Sequence, residues 1–419
     1  MTENHNPRRT TKNAEKSARF IIPIAIFVSV LIIGSALNFT YPSALERDDT
    51  KLAEPVYKAA QTPLFGRAVQ TEIPSQSLGK KANPDYKIAF PQDHGSHNDF
   101  DIEWWYLTAN LDGDNGLEYD IQWTLFRFRI PSEEGKVWGN EHTFMAHASV
   151  HSGEQHWFTE KFARGGLGIA GVTKQSPFAL YIDDWLWQNN LGQRGLLPAD
   201  LDFSLKLIDP DKINQNVSPS DSSTLSLSLQ LKNKGPYILQ GDQGYSIKSG
   251  SASHASHYYS APFIDVEGYV QMSGIDAVAV RVKGQAWFDQ EWTSQLLDQN
   301  TLGWDWMSLH LDDGSKIMAF QMRLANQNDY ITGTFIEADG SSQTLKGSDI
   351  SLVALNNTRV GNKTFPLSWH LRIPHREIDI TVESKKQDQW NPALFPYYEG
   401  AVNISGSHSG EGFLELTGY

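Results

Sequence analysis

The chain has no cysteine and is poor in basic residues. The lack of cysteine excludes disulfides, thiolate chemistry and a lipid attached through a cysteine side chain. Lysine and arginine number 35 against 49 aspartates and glutamates, which gives a net charge of -14. Because a protein binds nucleic acid through a basic surface, this balance argues against a nucleic-acid partner.

Long apolar runs are also rare, and the single one lies near the N-terminus. A basic segment at 1–19 precedes an apolar segment at 20–37, which can span a bilayer with its basic end in the cytoplasm. The alternative is a cleaved secretory signal, with Gly34 and Ala36 before the cut. Both interpretations export the rest of the chain. The anchor predicts a single-pass inner-membrane protein with its remaining residues in the periplasm, beginning with an extended, proline-containing linker at 38–85.

The pattern after the linker is typical of β-strands, and no long amphipathic helix is recognisable. Apolar and polar residues alternate from Leu117 to Leu125 and from Leu225 to Leu231, the pattern of half-buried strands. The 13 tryptophans, 20 phenylalanines and 15 tyrosines also favour β architecture. Many short strands without crossover helices predict antiparallel sandwiches or barrels, and the aromatic content favours barrels with an apolar lumen.

An internal repeat predicts two related β domains. The positions Trp104, Tyr106, Leu107, Thr108, Leu111 and Asp112 recur 200 residues later as Trp304, Trp306, Met307, Ser308, Leu311 and Asp312. A second pair of similar segments is 268–274 and 412–418, each preceded by a Tyr-Tyr pair, Tyr258-Tyr259 and Tyr397-Tyr398. Two repeats in the same order suggest a duplicated domain. We therefore predict an all-β chain with domains at 86–292 and 293–419.

A binding pocket is predicted inside these barrels. On a strand, Glu103 and Trp105 share one face while Trp104 and Tyr106 share the other. The residues predicted to contact a ligand are aromatic or lie near the mouth of the pocket, and they are His97, Glu103, Trp105, Trp123, Trp304 and Trp306. For His97, closure of a turn is an equal alternative.

Acid chemistry is most plausible in the segment 284–292 (GQAWFDQEW). On an extended strand Trp287, Asp289 and Glu291 face the same side. A carboxyl among large apolar rings has a raised pKa and can donate a proton. The alternative is a structural salt bridge or a carboxyl that accepts backbone hydrogen bonds.

No cofactor and no metal is predicted. Gly166, Gly168 and Gly171 have the spacing of a dinucleotide-binding loop but lack a strand-to-helix context. Hydrogen-bonded strand histidines are favoured over a metal site for a crowded group that matches no fixed ligand spacing, namely His142, His147, His151 and His156.

Five motifs follow one another along the chain. They are FPQDHGSHNDFDIEWWYLTANL at 90–111, GQAWFDQEW at 284–292, GWDWMSLHLDDG at 303–314, YYEGAVNISG at 397–406 and GFLELTGY at 412–419. Together they resemble the AttH-like family, which includes the carotenoid 1,2-hydratases (hydroxyneurosporene synthases). The resemblance implies two lipocalin-like barrels of the calycin type, in agreement with the repeat.

The resemblance to the hydratases also implies a catalytic set. Those enzymes carry a His-x-Trp pair followed by a Tyr-x-Asp pair, and the nearest equivalents here are 257–259 and 287–289. His257 and Asp289 retain the residue type, whereas Tyr259 and Trp287 differ from it. Asp289 is then the acid, His257 and Tyr259 orient the substrate, and Trp287 lies over the developing positive charge.

Three functions are consistent with these features. The first is a membrane-tethered, exported lipocalin-like protein that binds an apolar or lipid-like molecule, with an ABC-type exporter permease as a candidate partner. The second is a hydratase or cyclase that acts on an isoprenoid or polyene through Asp289. The third is a scaffold protein whose aromatic residues serve only for packing.

Overall fold

The computed structural model describes residues 79–130, 142–174, 176–190, 192, 195–208, 224–250, 254–273, 278–295 and 300–419. These residues form 23 strands in two sheets, so the predicted all-β fold is confirmed. Their only helical segments are two short 3-10 turns, Gln92–His94 and Pro374–Arg376. The predicted N-terminal anchor and most of the linker lie outside the described residues. Within the described ranges, no helix has the length and apolarity needed to cross a bilayer.

The first sheet forms a closed barrel. Its strands are β1 (Ile102–Gly113), β2 (Glu118–Arg129), β3 (His142–Ser152), β4 (Gln155–Arg164), β5 (Ala170–Val172), β6 (Ala179–Ile182), β7 (Trp185–Asn189), β8 (Ala199–Leu207), β9 (Thr224–Asn233), β10 (Ile238–Leu239), β11 (Tyr245–Ile247), β12 (Ala255–Met272) and β13 (Ala279–Thr293). The order β12-β13-β1-β2-β3-β4-β8 is closed by β9, which pairs with both β8 and β12. Closure satisfies the backbone groups at both edges.

The second sheet curls in the same way but remains open. Its strands are β14 (Thr301–Leu311), β15 (Lys316–Leu324), β16 (Tyr330–Ile336), β17 (Ser342–Lys346), β18 (Ser351–Val360), β19 (Lys363–Ile373), β20 (Ile378–Ser384), β21 (Trp390–Asn391), β22 (Tyr397–Gly406) and β23 (Gly410–Leu416). The order is β17-β16-β15-β14-β23-β22-β20-β19-β18, so β17 and β18 are its edges. We call the two sheets the first and second barrels.

The alternating segments form strands, as predicted, but the polar side of β2 is not exposed to solvent. In β9 the leucines are buried and the intervening residues face water. In β2 the apolar residues between positions 119 and 125 are buried, and so are Asp120, Gln122 and Thr124. The second barrel packs against this face, which is why polar side chains expected at the surface lie in the interior of the protein.

The repeat of 200 residues corresponds to equivalent strands. β1 pairs with β2 and β13, and β14 pairs with β15 and β23 in the same arrangement. The Tyr-Tyr pairs also occupy equivalent strands, β12 and β22. The other predicted similarity was wrong, because 268–272 ends β12 whereas 412–416 lies in β23, the equivalent of β13. The two segments have similar sequences, but they lie in strands that are not equivalent in the two sheets.

Both barrel interiors are packed with side chains. In the first barrel Trp105, Trp123, Phe288 and Trp292 are fully buried and belong to one apolar cluster. A separate cluster fills the second barrel, and a third lies between the barrels. The expected apolar lumen is therefore a packed core, because the inward aromatic side chains contact one another.

Candidate functional site: the interbarrel cleft

Equivalent residues of the two barrels contact each other across their interface. The rings of Tyr106 and Trp306 meet edge to face, with centroids 5.3 Å apart. The hydroxyl oxygens of Thr108 and Ser308 lie 3.4 Å apart. Self-complementary contacts of this kind arise where like surfaces meet across an approximate two-fold axis.

An apolar cleft lies beside these contacts, and we call it the interbarrel cleft. Its apolar walls are formed by Trp104, Phe126, Trp304, Trp306, Phe320 and Met322. Its polar lining includes Gln122, His147, Lys248, Asp289, Glu291 and Glu415. The cavity volume is about 80 Å³. Pockets for drug-sized ligands have about 300 Å³ or more, so a ligand of that size requires the walls to separate.

Asp289 contributes a buried carboxyl to the first wall. Its Oδ1 accepts hydrogen bonds from the hydroxyl of Ser260 at 2.5 Å and from the indole N–H of Trp287 at 2.8 Å. Burial raises the pKa of the Asp289 carboxyl from 3.8 to about 7, although both hydrogen bonds favour the charged form. Asp289 can therefore hold a proton near neutral pH.

Glu415 contributes the equivalent carboxyl to the second wall. In the strand registers Asp289 lies opposite Tyr106, and Glu415 lies opposite Trp306, the repeat of Tyr106. Burial raises the pKa of Glu415 from 4.5 to about 7, although the indole N–H of Trp304 donates to its Oε1 at 2.6 Å. The cleft is thus flanked by two acids that titrate near neutrality.

Glu399 lies directly behind Glu415. The two are paired in the register of β22 and β23, and the hydroxyl of Tyr106 donates to Oε1 of Glu399 at 2.7 Å. Burial, followed by the nearby charge of Glu415, raises the pKa of Glu399 well above its ordinary value. Two adjacent buried carboxyls resist ionising together, so this pair retains a proton at neutral pH.

Lys248 brings one positive charge to the cleft. Its ammonium lies 2.6 Å from Glu291 and within 5 Å of the ring centres of Tyr258 (4.7 Å) and Phe320 (4.9 Å). The ion pair and the ring faces together offset the loss of hydration. Lys248 thereby neutralises Glu291, and among the described residues no ammonium group is paired with Asp289 or Glu415.

The structure divides the predicted site residues between two places. Asp289, Trp304 and Trp306 line the interbarrel cleft, and Trp287 packs behind it. The others point into the first barrel and lie on the opposite face of its sheet, namely His97, Glu103, Trp105, Trp123, His257 and Tyr259. His257 and Tyr259 are therefore not brought together with Asp289, because the register sets Ser260, not Tyr259, opposite Asp289.

The interior polar residues form a closed network at one end of the first barrel. Glu103 accepts hydrogen bonds from the ring Nδ1 of His97 at 2.6 Å, from Arg127 at 3.2 Å and from Gln290 at 2.9 Å. Burial opposes the charge of His97, but Glu103 and Asp93 outweigh it and raise the His97 pKa to about 9. These contacts fasten the segment 79–101 across the barrel end.

Tyr259 and His257 are also bound to that segment. The Tyr259 hydroxyl lies 2.8 Å from Nδ1 of His94 and donates to Gln290 at 2.6 Å. Nε2 of His257 accepts the backbone N–H of Asn83 at 3.2 Å. Burial, with the nearby His97, lowers the pKa of His257 to about 4, so the ring is neutral. The contacts made by these two side chains attach the segment 79–101 to the strands of the first barrel.

The sequence did not indicate several residues that line the interbarrel cleft, chiefly Gln122, Lys248, Tyr258 and Glu415, or Glu399 behind Glu415. The prediction assigned the ligand to the barrel interior and therefore selected the Glu103 face of β1. The repeat contained the missing signal. Asp289 and Glu415 lie opposite equivalent positions of β1 and β14. Their equivalence can be recognised only once the order of the strands is known.

The crowded histidines are held by neighbouring side chains. His147 lies between Tyr397 of the second barrel at 3.2 Å and Glu160 at 2.9 Å. His151 and His156 stack with centroids 3.8 Å apart, and burial lowers the pKa of both. Across the described ranges, no group of three or more histidine, aspartate or glutamate side chains is arranged to hold a metal ion.

A closed antiparallel barrel joined to a second curled barrel defines a lipocalin-like protein with two barrels. The AttH-like family model matches residues 81–419, and the chain belongs to this family. An AttH protein of Nitrosomonas europaea is 28% identical with a TM-score of 0.66, over 81% of this chain and 99% of that one. Kievitone hydratase of Nectria haematococca is 14% identical with a TM-score of 0.56, over 81% and 96%. No curated protein sequence matches the chain.

Proposed function

We propose that the protein binds a mainly apolar small molecule in the interbarrel cleft. The observation that supports this most directly is a concave, largely aromatic wall contributed by both barrels, with several polar side chains placed around it. Ligand sites are typically apolar clefts between domains with a small number of placed polar groups. The packed barrel interiors make the cleft a better candidate than either lumen.

Native mass spectrometry of the full chain, purified from its own membranes, tests this function. We expect the wild type to retain a lipid-like mass. The variant Trp306→Ala should lose it, because the substitution removes an aromatic side chain that lines the cleft between the barrels. Trp390→Ala is the matched control, since Trp390 packs on the interior cluster of the second barrel and does not line the cleft. Equal retention by both variants would contradict the assignment to the cleft.

Acid-catalysed hydration or cyclisation of an alkene is a second candidate, favoured by the protonated carboxyls. Asp289, with its pKa raised to about 7, can transfer a proton to one alkene carbon. The faces of the tryptophan rings then stabilise the positive charge on the other carbon. In hydration a water oxygen bonds to that carbon and the water proton returns to Asp289. A hydratase of the same fold makes this chemistry compatible with two barrels.

Asp289→Asn separates the two candidates. Simple binding predicts nearly unchanged retention of the ligand, since the amide preserves the shape of the side chain. Catalysis predicts that turnover of a polyene or isoprenoid alcohol is lost while the circular dichroism spectrum is preserved. Turnover at the normal rate by this variant would exclude Asp289 as the acid.

We also propose that the N-terminal segment tethers the protein to the inner membrane, with the barrels in the periplasm and an ABC-type exporter permease as a partner. The basic segment 1–19 followed by the apolar segment 20–37 supports this topology. Protease added to spheroplasts should degrade the two barrels. Protease added to intact cells should leave them undegraded. Protection in spheroplasts would contradict the topology, and failure to co-purify with a permease would contradict the partner.

A further inference from the structure

The side chain of Gln122 faces the interbarrel cleft without a hydrogen bond at either amide atom. It is 1% exposed and lines the cleft. In the part of the chain that the structure describes, neither its Oε1 nor its Nε2 has a hydrogen-bond partner. A buried amide that gains no partner loses its hydrogen bonds to water, which destabilises the folded chain. Such a group is expected where a ligand supplies the partners.

The neighbours of Gln122 on adjacent strands do not supply these partners. Thr108 lies opposite it on β1, and its hydroxyl contacts the second barrel. Ser149 lies opposite it on β3, and its hydroxyl is bonded to a histidine ring. Thr124, two residues along β2 on the same face, is fully buried and its hydroxyl has no partner among the described residues. The unmet hydrogen-bonding capacity of this face is thus concentrated on β2.

We infer that Gln122 binds a neutral hydroxyl group of the ligand, an inference that rests on the proposed binding function. A primary amide presents a carbonyl acceptor and N–H donors, and a hydroxyl both donates and accepts, so one hydroxyl can satisfy both amide atoms. A ketone accepts only, and a hydrocarbon offers neither. The chemical class that fits is an amphipathic molecule with a neutral group that both donates and accepts, and an alcohol is the simplest of these.

The charges around the cleft disfavour an anionic ligand. Gln122 is neutral, and the acidic groups Asp289 and Glu415 line the same cavity. The ammonium of Lys248 is already paired with Glu291 at 2.6 Å. A carboxylate entering the cleft would lose its hydration without gaining a free cation. The neutral form of the polar group is the one that the site accommodates.

The position of Gln122 also orients the ligand. Its strand and the strand of Asp289 lie on either side of β1, and the two residues pair with Thr108 and Tyr106, two residues apart along β1. Two strand spacings and this offset give a separation of about 12 Å. A hydroxyl held at Gln122 leaves the apolar body to extend along Trp306 and Phe320 toward Asp289. An alkene about 12 Å from Gln122 would then lie near the acid.

Bromine-tailed probes test the inference, because bromine quenches tryptophan fluorescence on contact. The full chain in lipid nanodiscs is titrated with 11-bromo-1-undecanol, 11-bromoundecanoate and 1-bromoundecane, and partitioning into empty nanodiscs is subtracted. We expect the alcohol to bind about tenfold more tightly than either of the others. Equal affinity of the alcohol and the bromoalkane would overturn the inference.

Gln122→Leu provides the decisive variant. It should remove the tenfold preference for the alcohol while leaving bromoalkane binding unchanged or tighter. Its melting temperature should equal or exceed that of the wild type, because an unsatisfied amide is replaced by an apolar side chain of similar size. Gln122→Met, with an unbranched side chain, serves the same purpose if Gln122→Leu does not fold. A preference that survives both substitutions would overturn the inference.

Gln240→Leu is the matched control. Gln240 is also fully buried between the barrels, but it donates to Ser260 at 2.8 Å and accepts from Thr334 at 2.6 Å. This variant should melt at a lower temperature and keep the preference for the alcohol. Absence of quenching by all three probes would contradict the proposed binding function, whereas binding without discrimination would contradict the role of Gln122 alone.

Discussion

The two barrels place a carboxyl at the same point of the same fold and surround it differently. Asp289 of the first barrel lies opposite Ser260, and Glu415 of the second lies opposite Glu399. The hydroxyl of Ser260 donates to Asp289 and favours its charged form. Glu399 instead adds a second carboxyl, and its own pKa lies well above the ordinary value. The duplicated strand order thus determines the position of the carboxyl in each barrel. The residue opposite it, Ser260 or Glu399, determines how many titratable protons are present at that position.

The barrels also differ in closure. The first is closed by β9, whereas the second ends at β17 and β18. β18 leaves the apolar residues Val353 and Leu355 about half exposed. An open barrel can relax around a change in its interior more readily than a closed one, because its edge strands are hydrogen-bonded on one side only.

Truncation of one interior tryptophan in each barrel gives the largest expected effect. Trp123 in the first barrel is 0% exposed and Trp369 in the second is 2% exposed. Trp123→Ala should lower the free energy of unfolding by about 3–5 kcal/mol, and Trp369→Ala should cost less because the open barrel relaxes. Urea denaturation measures both. Leu355→Ala on the exposed edge is the control, with a change within about 0.5 kcal/mol. If Trp123→Ala lowers the free energy of unfolding by less than Trp369→Ala does, the open barrel does not relax more readily than the closed one.

The pH dependence of stability compares the two acids. Between pH 4 and 7 the unfolded chain releases the Asp289 proton while the folded chain keeps it, so stability falls as the pH rises and then levels off above about 7. A difference of about three pKa units corresponds to about 4 kcal/mol. Wild type should therefore lose about 4 kcal/mol more than Asp289→Asn between pH 4 and 8, as measured by urea denaturation at each pH.

The equivalent comparison for Glu415→Gln should show a loss of stability in the same direction, because burial raises the pKa of Glu415 from 4.5 to about 7. Parallel pH profiles for wild type and Asp289→Asn would mean that burial does not hold the proton on this carboxyl. Parallel profiles for wild type and Glu415→Gln alone would confine the effect to the first barrel.

The strands, their faces and the duplication could be predicted from the sequence. The leucines of β9 alternate without interruption, and Tyr106 and Trp306 occupy equivalent strands as the repeat indicates. These features depend on local pattern, since a strand has a period of two residues wherever it lies. The same period correctly predicts that Trp104 and Trp105 lie on opposite faces of β1.

The location of the site could not be predicted, because it depends on contacts between strands distant in sequence. A shift in register between Ala261 and Ile264 determines that Ser260, and not Tyr259, shares a face with Asp289. Likewise, nothing local to β2 indicates that a second barrel covers Gln122. Which face of a sheet is buried is a property of the assembled fold. The sequence therefore predicts a ligand in the barrel interior, whereas the cleft lies on the outer face of the barrel.

The smallest expected effect lies where the two repeats touch. The hydroxyls of Thr108 and Ser308 are 3.4 Å apart, near the upper limit for a hydrogen bond, and both side chains are buried. Thr108→Val and Ser308→Ala should each cost about 1 kcal/mol, because each leaves one buried hydroxyl without its partner.

The double variant Thr108→Val/Ser308→Ala should cost no more than either single change, since removal of both hydroxyls leaves no unmet group at the contact. Urea denaturation of the four proteins in the cycle measures this coupling. Costs that simply add would mean that the two hydroxyls do not hydrogen-bond to each other. The barrels would then be held together at this point by the aromatic cluster around Tyr106 and Trp306, without a polar contact at the centre of the repeat.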